Sequence, residues 1–150
     1  MAPLPGEFEL IRRYFAPLAA QAPGALALQD DVCTIAPSPG HDLVLTVDAL
    51  TAGIHFLRDD PPDLVARKML RVNLSDLAAK GAKPVGFLLS LVIPKSIDDH
   101  WLKLFARGLG AALVYYCVHK FLSDHSGYHL HVFRVSYSVH LSFIKEQCPL

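Results

Sequence analysis

The 150-residue sequence predicts a fold that mixes helices and strands, of either the α+β or the α/β class. Two observations support this. Segments whose apolar residues recur at helical spacing alternate along the chain with short runs rich in β-branched residues. The composition is 52% hydrophobic and 19% charged, which is typical of a globular chain with a buried core.

The first elements are a helix, a long loop and a strand. Residues 7–20 place apolar side chains at roughly helical spacing, namely Phe8, Ile11, Tyr14, Phe15 and Leu18. Pro17 is expected to end or kink this helix. Residues 21–42 are rich in proline, glycine and aspartate and predict a loop. Residues 43–47 form a β-branched-rich run that predicts a strand ending at Asp48.

Two further helices flank a second strand. The run Asp-Asp-Pro-Pro-Asp at residues 59–63 is typical of a helix start, and this helix is predicted to reach about Ala79 and to stop near Gly81. Residues 85–93 predict a buried strand. Residues 101–112 predict another helix, so the order of elements agrees with a mixed fold.

The last part of the chain differs from the rest in composition. Residues 113–150 contain none of the 17 alanines but five of the eight histidines. A native continuation and a change of reading frame both explain such a break. Within this tail, apolar residues alternate over 133–143, which predicts a strand with an exposed edge unless a partner covers it. We therefore predict a domain over 1–112 and a divergent or frameshifted tail of one or two strands over 113–150.

Charge and cysteine content exclude several classes of protein. Lys+Arg and Asp+Glu are both 14, and this balance argues against a nucleic-acid binder or a polybasic membrane-surface protein. The three cysteines are too scattered for a disulfide framework or a structural zinc site. No signal-peptide or membrane-spanning pattern is present, so a cytoplasmic location is expected.

Carboxylates lie at the ends of the predicted elements. Asp30 and Asp31 share a loop, Asp48 follows a strand, and Asp76 lies in an otherwise apolar helix. A carboxylate among apolar side chains is costly to bury unless it is paired or bound to a cation. Because Mg²⁺ takes carboxylates together with phosphate oxygens and water, these residues suggest a magnesium–nucleotide site. A turn at Asp30 and Asp31, a cap at Asp48 and a solvent-facing Asp76 are the structural alternatives.

Other motifs carry less information. The chain has no P-loop, no dinucleotide-binding fingerprint and no nucleophile elbow. His129 and His131 lie on one face of a possible strand, so a histidine-rich module that binds a transition metal is a further hypothesis. His55 follows Gly53 by two residues, which fits either a structural histidine or a residue that a ligand approaches closely.

Four segments together resemble the N-terminal part of the thiamine-monophosphate kinase family. They follow one another within residues 5–112, at 6–11, 30–31, 46–56 and 72–82. The resemblance implies an α+β domain of the aminoimidazole ribonucleotide synthetase-like type, with a mixed sheet, helices packed on one face and strands that pair across a homodimer. It also implies transfer of the ATP γ-phosphoryl group to thiamine monophosphate, with several Mg²⁺ ions.

The resemblance also assigns roles to individual residues. It implies magnesium ligands at Asp31, Thr46, Asp48 and Asp76, a neighbouring carboxylate at Asp30 and a substrate contact at His55. The family's later Gly-Gly-Asp-Thr loop is not found in this chain, although Asp124 lies near the place of its aspartate. The family's second domain is also missing. The chain is therefore interpreted as a truncated kinase or, alternatively, as a non-catalytic fragment that keeps the fold, dimerisation and weak nucleotide binding.

Overall fold

The computed structural model describes residues 4–20, 22–30, 32–94, 96–121, 129–130 and 139–147, with side chains as far as Leu113. Helix α1 (Glu7–Leu10) continues into a π-helical turn (Ile11–Phe15) and a 3-10 turn (Ala16–Ala19), and another 3-10 segment spans Pro23–Leu28. Then follow β1 (Asp42–Leu50), α2 (Pro62–Ala79), β2 (Lys83–Ser90), α3 (Asp99–Phe121), β3 (His129–Leu130) and β4 (Val139–Gln147). This order confirms the predicted α+β class.

The strands form one mixed sheet in the order β1-β4-β2-β3. Strand β4 pairs antiparallel with both β1 and β2, and β3 pairs parallel with β2. The predicted tail strand over 133–143 is confirmed from Val139 onward, while residues 131–138 lie outside the described part. The expectation of an exposed edge there is wrong, because the described tail strand lies inside the sheet between two partners.

The helices pack on one face of the sheet and form the core with it. Buried side chains from both layers make one apolar cluster, which includes Leu50, Met69, Leu77, Phe87, Leu89, Phe105 and Leu109. The opposite face of β1 is open, since Leu45 and Val47 keep 66% and 61% of their surface exposed. Because the helices cover only one face of β1, more buried and more exposed side chains alternate along most of the strand.

Helix α3 is longer than the sequence predicts. It begins at Asp99 and continues past Ala112 to Phe121, so it crosses the predicted domain boundary, which itself stays a prediction. The change of composition at residue 113 therefore does not coincide with a break in the backbone. Within the described residues, no helix is both long and apolar enough to cross a membrane.

Helices α2 and α3 approach each other backbone to backbone at Gly108. A Cβ atom at this position would lie 2.5 Å from the carbonyl oxygen of Asp63 and 2.6 Å from its Cα. The carboxylate of Asp63 also pairs with Arg67 and Arg107 at 3.7 and 3.8 Å. Glycine at position 108 therefore permits the helix contact on which the core depends.

A polar contact holds the N-terminal segment against the start of α3. The Tyr14 hydroxyl donates a hydrogen bond to Asp99 Oδ1, and Arg13 Nη1 lies 3.2 Å from the same oxygen. Burial, and then this hydrogen bond, raise the pKa of the Tyr14 phenol above its ordinary value of 10.0. The neutral phenol is thus the form that stabilises the fold.

Replacing Tyr14 with phenylalanine should lower the free energy of unfolding by about 1 kcal/mol near neutral pH. Because the folded-state pKa is raised, this contribution is complete below about pH 10 and is lost as the pH rises through the folded-state pKa. Urea unfolding of both proteins across this range measures the difference. Arg12→Gln, which removes only the exposed pair with Glu9, should change stability by less than about 0.5 kcal/mol. A Tyr14→Phe effect of the same size at every pH would contradict this assignment.

Candidate active site

Strand β1 turns two of the predicted ligands toward the helix layer. Thr46 and Asp48 are two residues apart and therefore lie on the same face of the strand. Both side chains are partly buried, whereas Val47 between them is exposed. The next inward residue, Leu50, belongs to the apolar core. The polar pair thus lies at the border where the core meets solvent.

Helix α2 supplies a third predicted ligand to this border. Asp76 is exposed, while its neighbour Leu77 is buried in the core. The Thr46 hydroxyl donates a long hydrogen bond to Asp76 Oδ2, at 3.4 Å. Two residues separated by 30 positions in the chain are thus brought together. One structural alternative placed Asp76 on the solvent-exposed face of its helix, and the residue is indeed exposed. It nevertheless lies next to the sheet, because its carboxylate contacts Thr46.

The other predicted carboxylates are held locally or lie outside the described residues. Asp48 Oδ1 accepts the backbone N–H of Ala49 at 3.0 Å. Asp30 is exposed and accepts the N–H of Val32 at 3.0 Å, which is an Asx turn. This turn agrees with the structural alternative for Asp30. Asp31 and Asp124 lie outside the described residues, so their predicted roles stay predictions, and the same holds for the side chains of His129 and His131.

His55 lies in a tight loop directly after β1. Gly53 adopts a φ of +81°, and its N–H donates to the carbonyl of Phe56 at 2.7 Å. The His55 ring is exposed, and its Nδ1 accepts the N–H of Thr51 at 3.0 Å. In the neutral ring this bond leaves the proton on Nε2. The ring of His55, which is predicted to contact the substrate, is therefore accessible, and the hydrogen bond from Thr51 orients it.

The oxygen donors on β1 and α2 fit a hard cation. Adjacent ligands of an octahedral Mg²⁺ at about 2.1 Å lie about 3 Å apart, which is close to the 3.4 Å between Thr46 Oγ1 and Asp76 Oδ2. Among the described side chains, no three histidine, cysteine, aspartate or glutamate residues form a cluster. A magnesium ion would therefore need Asp31, phosphate oxygens or water to complete its coordination shell.

Cysteine chemistry receives no support from the described part of the chain. Cys33 is a free, partly buried thiol, and burial raises its pKa. A raised pKa keeps the thiol protonated near neutral pH, whereas a nucleophile needs the thiolate. Cys33 is therefore a structural residue rather than a nucleophile.

Three cations near this site were missed by the sequence reasoning. Arg67, Lys68 and Arg71 lie on one side of α2, and the Lys68 ammonium group contacts the carbonyl oxygen of His55. The available signal was their spacing, since Arg71 follows Lys68 by three residues and Arg67 by four, which places it on the same side of the helix as both. A carboxylate inside an apolar helix is a rarer pattern than a basic residue on a helix, so the sequence singled out the carboxylates.

The fold and the site together can be compared with known proteins. Residues 29–120 match the family model described as AIR synthase related protein, N-terminal domain, and thus most of the chain. The chain belongs to this family. The matched range contains β1, α2, β2 and nearly all of α3. Of the predicted site residues, only Asp124, His129 and His131 lie outside it.

Relatives within this family are named thiamine-monophosphate kinase. The chain is 50% identical over 105 residues to the one from Caulobacter vibrioides, covering 70% of this chain and 30% of the relative. It is 43% identical over 113 residues to the one from Salmonella typhimurium, covering 74% and 34%. These matches confirm the resemblance inferred from the four segments. The chain spans about a third of the length of these curated relatives.

Solved structures agree with the same family. Thiamine-monophosphate kinase from Stenotrophomonas maltophilia K279a superposes with a TM-score of 0.69 at 28% identity, covering 95% of this chain and 43% of that one. AaThiL complexed with AMPPCP and TMP superposes with a TM-score of 0.56 at 28% identity, covering 95% and 42%. The hydrogenase maturation protein HypE in complex with ATP shares the fold alone, with a TM-score of 0.63 at 13% identity.

Proposed function

We propose that this chain is the nucleotide-binding and magnesium-binding portion of a thiamine-monophosphate kinase. The observation that carries the proposal is the meeting of Thr46 and Asp76 beside Asp48, at the border of the core. The names of the relatives and the AMPPCP and TMP bound to AaThiL support the choice of substrates. The reaction breaks the bond between the β- and γ-phosphates of ATP and forms a bond from the γ-phosphorus to a phosphate oxygen of thiamine monophosphate.

The proposed roles follow from the chemistry of two polyanions that must meet. Thr46, Asp48, Asp76 and Asp31 hold magnesium, with Asp30 and Asp124 as secondary candidates. Bound magnesium supplies charge neutralisation and alignment of the phosphates. The chain's own residues contribute fixed oxygen donors on a strand and a helix, which keeps their separation constant during the reaction. His55 offers its Nε2–H to the acceptor.

The proposed partner in assembly is a second copy of this chain. The open face of β1 carries Leu43, Leu45 and Val47, all of them exposed. Such a row of apolar side chains on one strand favours association with another apolar face. ATP and thiamine monophosphate are the only other partners proposed, with no nucleic acid and no membrane, and the cytoplasmic location stays a prediction.

The alternative is a fragment that binds nucleotide without turnover. The observation that favours it is that residues 121–126 lack the glycines of the family's Gly-Gly-Asp-Thr loop. We expect the purified chain to bind ATP in a magnesium-dependent way and to form little or no thiamine diphosphate by itself.

The test combines ATP binding by calorimetry with chromatographic detection of thiamine diphosphate. Each measurement is made with magnesium and with EDTA, and an intact relative serves as the positive control for turnover. Magnesium-dependent binding without turnover supports the fragment, and turnover at the rate of the intact relative supports the kinase. Absence of magnesium-dependent ATP binding would contradict both.

A further inference from the structure

A groove of about 500 Å³ lies between α2 and the loop that precedes it. One wall consists of Phe56 and Asp60 from the loop. The other is a single stripe of α2 at helical spacing, formed by Leu64, Val65, Arg67, Lys68, Arg71, Val72 and Ser75. Ser75 and three cationic residues thus line one concave surface together with apolar residues.

The charged residues that line this groove are mostly cationic, although the chain as a whole has no formal net charge. Arg67, Lys68 and Arg71 line it, and Asp60 is the opposing carboxylate. Asp60 Oδ2 accepts a hydrogen bond from the N–H of Leu57 at 2.8 Å, so this carboxylate already has a partner within the loop. The groove therefore offers an excess of hydrogen-bond donors to an anion.

One of these donors is buried without a partner. Among the described residues, Arg67 Nε lies out of contact with water and has no hydrogen-bond acceptor, and the guanidinium reaches Asp63 only at 3.7 Å. A buried N–H without an acceptor is costly, so the groups around the Arg67 guanidinium do not satisfy it fully. Arginine forms two parallel hydrogen bonds with phosphate, which a nearby lysine reinforces as a point charge.

We propose that this groove is a phosphate-binding site and that its ligand is a phosphate monoester. The groove ends at Ser75, the residue before Asp76, and Lys68 contacts the carbonyl oxygen of His55. It therefore connects the proposed magnesium ligands with the proposed acceptor contact. Identification of the monoester as thiamine monophosphate rests on the proposed function, whereas the anion site itself rests on the groove alone.

The test is a titration of the whole chain in EDTA, so that neither magnesium nor turnover is required. Inorganic phosphate, thiamine monophosphate, thiamine and ATP are titrated separately, and binding is followed by calorimetry and by NMR shifts. Arg71→Gln removes an exposed cation from the groove. Lys103→Gln removes an exposed cation from α3 and is the matched control. Thermal unfolding of each variant verifies that the fold is intact.

We expect saturable binding of phosphate and thiamine monophosphate, weakened about tenfold in Arg71→Gln and unchanged in Lys103→Gln, with no binding of thiamine. Equal affinities of the two variants for inorganic phosphate, or no saturation of the original chain by phosphate, would overturn the site. If Arg71→Gln weakens ATP but not thiamine monophosphate, the anion site stands and its assignment to the acceptor fails. A chain that binds phosphate in EDTA but never binds ATP with magnesium would contradict the proposed function and leave the groove proposal supported.

Discussion

Replacing Asp76 with asparagine should weaken magnesium-dependent ATP binding by about 100-fold, which corresponds to about 2.7 kcal/mol. Asparagine removes the negative charge that a magnesium ion needs from its ligand. It keeps an oxygen that can accept the hydrogen bond from Thr46, and the side chain is exposed, so the fold should persist. Calorimetric titration with ATP, with magnesium and with EDTA, measures the effect, and thermal unfolding checks stability.

The matched control is Asp42→Asn at the start of the same β1 strand. Asp42 is also exposed and loses the same charge, but it lies four residues before Thr46 on the strand. Its substitution should leave the magnesium-dependent affinity within about twofold of the original. If Asp76→Asn keeps full affinity and loses only stability, then Asp76 has a structural role and the proposed ligand set is wrong.

Replacing Gly108 with alanine should lower the free energy of unfolding by about 3 kcal/mol. The added methyl group would lie 2.5 Å from the Asp63 carbonyl oxygen and 2.9 Å from its carbonyl carbon. These atoms belong to the backbone of α2 and cannot rotate away, so the two helices would have to separate. Chemical denaturation, with the slope compared between the two proteins, measures the loss of stability.

Gly110→Ala is the matched substitution two residues further along α3. Its new methyl group would meet the Leu18 Cδ2 atom at 3.1 Å, which is the end of a flexible side chain. Alanine is also favoured over glycine inside a helix by about 1 kcal/mol. We therefore expect little change or a gain in stability, and equal losses in the two variants would show that close backbone approach is not the cause.

Local patterns predicted most of the fold. Prolines and acids before Leu64 marked the start of α2. The β-branched residues before Asp48 predicted β1, although this strand does not end at Asp48 and continues to Leu50. The N-terminal helix was predicted, but its change into π and 3-10 turns was not, since Pro17 sets the geometry of one turn only within its packed surroundings. The position of the tail strand inside the sheet was missed, because the order of the strands depends on pairing between residues 50 or more positions apart in the chain.

The candidate site also has features that the sequence predicted and features that only the tertiary structure decided. Residue types and spacing drew out Asp48 and Asp76, because a carboxylate near the predicted end of a strand or among apolar neighbours is an unusual pattern in a sequence. The role of His55 was implied only by the resemblance to the kinase family. Only the tertiary structure decided that Asp76 of α2 meets Thr46 of β1 and that Gly108 of α3 contacts the backbone of α2. It also decided that the cations of α2 border a groove with the preceding loop. Such contacts join residues far apart in the chain. The spacing of apolar residues in the sequence predicts which face of a helix or strand is apolar. Which element packs against that face depends on the packing of the whole core.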